Sequence, residues 1–116
     1  MNVDDPTSLL RGIQKKNLML TQKNDEYLSL MEKRAQAERD YKIVFAKTVL
    51  LLKSEHPATL LIKIVDGDST VADLKFKLDV ADAVVRACRE SMDDIRTAID
   101  SYRSALTWKR EELHRS

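Results

Sequence analysis

The stretch "DGDST", residues 66 to 70, is the most ligand-like in the chain. Asp66, Asp68 and Thr70 alternate around Gly67. Oxygen donors at every second position, with a glycine at the bend, begin a calcium loop. Such a loop needs a bidentate glutamate at its twelfth position, and Lys77 stands there instead. The plainer reading is one helix cap followed by another. Gly67 ends a helix in the left-handed conformation. The next helix starts at Thr70, paired with Asp73 as a capping box, with Asp68 and Ser69 as rival caps.

The other chemistry-bearing types are sparse. His56 and His114 are the only histidines and lie near opposite ends of the chain. With Cys88 far from both in sequence, no zinc spacing exists. Cys88 sits on an apolar heptad seam, where a cysteine acts as a small core residue. No phosphate loop, nucleophile elbow or HExxH pair occurs. Asp79, Asp82, Asp93 and Asp94 are acidic, as helix surfaces commonly are. The expectation is no enzyme, no catalytic residue, no metal, no cofactor and no small-molecule substrate. An enzyme with a carboxylate-held metal is a distant third reading.

Two basic clusters remain. One is Arg11, Lys15, Lys16 and Lys23; the other surrounds Trp108 with Lys109, Arg110 and Arg115. Cations beside an aromatic ring suit phosphate contact and base stacking. The competing reading is a solvated helix end with Trp108 as core packing. Glu111 and Glu112 dilute the second cluster.

These residues must be positioned by helices. The chain has 116 residues, 43% hydrophobic and 34% charged, with two Gly and two Pro, too few for the turns of a sheet protein. A formal charge of +1 gives no global pull toward nucleic acid or an anionic membrane. The opening "MNVDDPTSLLRGIQKK" lacks a signal core, and no run approaches the roughly 20 apolar residues of a membrane span. A single cysteine forms no internal disulfide and suits a reducing compartment. A cytoplasmic protein without a membrane partner is expected.

The last segment is the clearest. Leu74, Leu78, Ala81, Val85, Cys88, Met92, Ile95, Ile99, Tyr102, Leu106 and Leu113 share one four-three spacing, interrupted only at Lys109. That is a coiled-coil seam on a long helix over 70–114. Val84, Ala98 and Ala105 lie beside it, and Val80, Val84, Ala87 and Trp108 widen its apolar arc. A second long helix covers 7–54, with Asp5 as cap and Pro6 in the first turn. Its face runs through Ile13, Leu20, Tyr27 and Met31, with Asn17, Asn24, Arg34 and Glu38 interspersed, to Tyr41, Val44, Phe45, Thr48, Leu51 and Leu52. Gly12 and "TQKND" leave open a break near 21–25, with a separate helix starting near Asp25.

Between them, "HPATLLIKIVDGDST" places Leu60, Leu61, Ile64 and Val65 on one helical face. A short helix over 57–66, with Pro57 as its first residue, is favoured over a strand, which would have no partner. Its four apolar residues should be buried against Leu51, Leu52, Leu74 and Phe76, or against a second subunit. The fold expected is all-α: a single domain, 1–116, of two long antiparallel helices in a coiled-coil-like hairpin joined by the short helix. Opposite charges suggest its register. Glu38 would face Arg86, Arg34 face Glu90, Lys42 face Asp82, Glu26 face Arg96, Lys23 face Asp100 and Arg11 face Glu112. The residue numbers of these pairs add to 122–124. This register puts both basic clusters at the open end.

"ERDYKIVFAK" and "DGDSTVADLKFKLDVADAVVRA" resemble a group of small helical proteins encoded by phages and prophages of Gram-positive bacteria. The matching residues are Tyr41, Ala46, Lys47, Gly67, Asp68, Ala72, Leu74, Lys75, Phe76 and Lys77, and the C-terminal "WKREEL" is similar too. The likeness covers roughly residues 38 to 110. It implies a phage origin, a bacterial host cytoplasm and a helical fold, and supplies no activity. A two-helix hairpin leaves apolar surface over, so a homo-oligomer or a complex with another protein is expected. The leading expectation is an accessory protein acting by protein–protein contact, modulating a host, phage or defence machine. Its candidate surface is Leu60, Leu61, Ile64, Val65, Val84 and Trp108. The alternative is a nucleic-acid-binding protein of phage replication or recombination using Arg11, Lys15, Lys16, Lys23, Lys109, Arg110 and Arg115.

Overall fold

A computed structural model describes residues 5–115. The opening residues 1–4, part of the leader reading, lie outside the described ones. Three helices follow in order: α1 (Pro6–Leu52), α2 (Ala58–Asp66) and α3 (Ser69–Arg115), with no strand among the described residues. The fold is all-α, two long antiparallel helices joined by a short one. α1 begins with the Leu9 amide bonded to the Asp5 carbonyl at 3.0 Å. It runs on through 21–25 without a break. Gly12 stays helical, and a Cβ there would lie 3.2 Å from the Tyr102 ring. The missing side chain is what lets that ring approach.

The chain divides into two compact units, Leu28–Arg86 and the segments up to Tyr27 and from Ala87. In the second of these, Cys88, Met92, Ile95, Ile99 and Leu106 are buried, as their spacing predicts. Tyr102 is half-buried. The seam fails at its end, where Leu113 is 69% exposed. α1 answers with buried Leu9 and with half-buried Ile13, Leu20 and Tyr27. Asn17 and Asn24 are exposed, whereas Lys16 and Lys23 are half-buried. Long lysine stems can cover apolar surface while their ammonium groups stay in water. The Cys88 thiol lies 3.8 Å from the Lys23 carbonyl and is a buried packing residue.

The unit Leu28–Arg86 holds a core of Leu61, Val65 and Val71. Tyr41, Val44, Phe45, Val49 and Leu52 pack on it. The expected four-residue face of α2 narrows to one line. Leu61 and Val65 are buried, Ile64 is half-buried and Leu60 is 50% exposed. A nine-residue helix beside one long neighbour presents an i, i+4 pair inward and turns the preceding residue about 100° away. The expected packing on Leu51 and Phe76 is also wrong, since they are 75% and 69% exposed. Val49 and Val71 take their places.

Both caps of α2 shift from expectation. Pro57 occupies the N-cap position, with φ −61° and ψ 144°, and helix begins at Ala58. Gly67 is right-handed, with φ −83°, and no described residue has a positive φ. α3 starts two residues later, so the chain turns directly into the next helix. The Asp68 amide bonds to the Val65 carbonyl, and the Asp68 carboxylate accepts from the Val71 amide, both at 3.1 Å.

The charge-derived register is overturned. Arg34 meets Asp82 at 2.7 Å, and Arg89 donates to the Tyr27 hydroxyl at 3.1 Å. Each pair adds to 116 in residue number, about one heptad from the expected 122–124. The cause is α2. It packs against the end of α1 through Val49 and Leu52, so α3 joins α1 farther back along the helix. The charges that suggested the other register pair mostly along their own helices. Glu38 takes Arg34 and Lys42, Arg86 takes Asp82, Arg96 takes Asp93 and Lys23 takes Glu26.

Candidate contact surface

The inward seam of α3 in the unit Leu28–Arg86 runs through Val71, Leu74, Leu78, Ala81 and Val85, all buried or half-buried. On the other side of the same helix lie Ala72, Phe76, Val80, Ala83 and Val84, all exposed. Their i, i+4, i+8, i+11 and i+12 spacing sets them along one face. Phe76 is 69% exposed, Val80 44% and Val84 42%. Exposed apolar side chains are common singly, and it is their contiguity that marks a contact surface. Asp79 and Arg86, one heptad apart, flank this face; Lys75 pairs with Asp79 at 3.3 Å.

Beside it stands an ion pair between α1 and α3, Arg34 with Asp82 at 2.7 Å. Asp82 accepts from Arg34 and from Arg86, and Arg34 also reaches Glu38 at 3.3 Å. The hydrogen bond from Arg34 chiefly holds the Asp82 carboxyl below its ordinary range. The hydrogen bond from Lys42 does the same for Glu38. The Arg34 guanidinium is pushed up in turn, chiefly by its bond to Asp82. Two residues of the resemblance also meet here: the Lys75 ammonium lies 5.5 Å from the Tyr41 ring centre.

Of the contact residues expected from sequence, Leu61 and Val65 are core and cannot serve while the fold holds. Ile64 is half-buried, and Leu60, Val84 and Trp108 are exposed. Trp108, 58% exposed among Arg103, Ser104, Thr107 and Glu111, is not core packing. The sequence reading missed Phe76 as an outward residue, although its spacing to Val80 and Val84 signals the face. Of the basic residues, Arg11, Lys15, Arg110 and Arg115 are exposed and Lys16 is half-buried. Lys23 pairs with Glu26 at 3.1 Å and Lys109 with Glu112 at 3.5 Å. Among the described residues no group of three His, Cys, Asp or Glu side chains is placed to hold a metal ion. No described helix is long and apolar enough to cross a membrane.

Comparison with known proteins gives no match: no family model, no curated protein and no solved structure aligns with this chain.

Proposed function

We propose that this protein is an accessory protein of a phage or prophage, working in the host cytoplasm by protein–protein contact and not by catalysis. The observation that carries the contact reading is the exposed line of Phe76, Val80 and Val84 on the side of α3 away from its core. Burying a large apolar side chain stabilises a complex by about 1.5–3 kcal/mol, so three in line make a worthwhile docking ridge. The phage origin rests solely on the resemblance through Tyr41, Ala46, Lys47, Gly67, Asp68, Ala72, Leu74, Lys75, Phe76 and Lys77. The test is affinity capture from host lysate with wild type and with Phe76→Ser/Val80→Ser. A partner kept by wild type and lost by a variant of unchanged helicity supports the reading. Equal capture by both sinks it.

The nucleic-acid reading has one feature in its favour. From Pro6 to Asn24 α1 carries Arg11, Lys15, Lys16 and Lys23 and no carboxylate. Binding to duplex or single-stranded DNA that weakens steeply with salt, and fails on Arg11→Ala/Lys15→Ala, would favour it over protein contact.

A further inference from the structure

We infer that the Phe76 face docks a second copy of this chain, with the two α3 helices antiparallel. The inference rests on the contact reading above and gives that surface its first occupant. The face is self-complementary in charge. Asp79 and Arg86 lie on the same flank, seven residues apart and opposite in sign. A two-fold axis perpendicular to the helix sets Asp79 of one copy beside Arg86 of the other, and the reverse, so one contact occurs twice. Two parallel helices would set the same flank against the opposite one, where Lys77 and Val84 stand, and would gain no Asp79–Arg86 pair.

The apolar residues fit the same arrangement. With Asp79 opposite Arg86, Val80 lies across from Ala83 in both directions, a large residue against a small one. Arg86 already holds Asp82 at 3.0 Å. Its guanidinium has five N–H donors, so a second carboxylate can be added without giving up the first. Among the described residues Asp79 pairs with the exposed Lys75. The apolar line is about two turns long and ends toward the helix start at Asp73. It covers far less than the roughly 800 Å² per partner of a standard interface, so the dimer is weak and dissociates on dilution.

Sedimentation equilibrium of the full chain over a wide concentration range tests this. Wild type should show a reversible monomer–dimer equilibrium. Phe76→Ser should weaken it by about tenfold or more, one tenfold step being about 1.4 kcal/mol. Arg86→Asp alone and Asp79→Arg alone should each weaken it, and the double swap Asp79→Arg/Arg86→Asp should restore it. Circular dichroism should show all four variants folded. A wild type monomeric at every concentration overturns the inference, as does a dimer indifferent to Phe76→Ser or a double swap that fails to restore it. A protein that dimerises yet captures no other protein defeats the hetero-partner part of the function alone. A monomer that captures one through Phe76 defeats the dimer alone.

Discussion

Asp68 turns a motif that resembles a metal loop into a helix start. Its carboxylate accepts from the Val71 amide, satisfying a donor that the first turn of α3 leaves open. Asp68→Ala should therefore cost about 1 kcal/mol in urea unfolding, the usual worth of such a cap. Gly67 makes no such contribution. It is right-handed, and an added Cβ would sit 3.5 Å from the Lys63 carbonyl oxygen, an ordinary contact. Gly67→Ala should be neutral or stabilise by up to about 1 kcal/mol, by restricting the unfolded chain. A clear loss on that change would mean the turn needs its glycine. Acid titration reaches the ion pair. Asp82 and Glu38 have carboxyl pKa values below those of the unfolded chain. The folded state thus binds their protons less readily than the unfolded state does. Their contribution is complete above the ordinary carboxylate range and is lost as pH falls through their lowered values. Asp82→Asn should flatten the acid limb of the stability curve and leave its shape above neutrality unchanged; an unaltered limb would contradict the pairing.

At the scale of the element, the class of each helix was legible and its register was not. The seam from Leu74 to Leu106 could be read because burial imposes a period on residue type, and Val71 extends the same spacing by one step. The register rested on surface charges. Those satisfy one another along a single helix as easily as across two, as Arg96 with Asp93 and Lys42 with Glu38 show. The same limit applied to the contact surface. Sequence spacing put Leu60, Leu61, Ile64 and Val65 on one face but could not tell which edge of it α1 would cover. α2 supplies a direct test. Leu61→Ala should cost about 2–5 kcal/mol, and Leu60→Ala no more than about 0.5 kcal/mol, because only Leu61 leaves a cavity. Equal losses would mean the whole face is covered. For the register, paired cysteines at 34 and 82 in a Cys88→Ala chain should be joined by a short bismaleimide, and pairs at 38 and 86 should not. The reverse pattern would restore the charge-derived alignment.

For the whole molecule, α3 has two apolar sides with different jobs. Val71, Val85 and their neighbours hold the fold from one side, while Phe76, Val80 and Val84 line the other in water. A fold built this way keeps its stability when the outer line is made polar and loses it when the inner one is. The proposed contact with a second chain would draw on residues the fold does not need. The most direct test is urea unfolding, at a concentration low enough to keep the protein monomeric, of Phe76→Ser and Val71→Ser beside wild type. The prediction is a Phe76→Ser unfolding free energy within about 0.5 kcal/mol of wild type and a loss of more than about 2 kcal/mol for Val71→Ser. A Phe76→Ser loss as large as that of Val71→Ser would place Phe76 in the core and contradict the account.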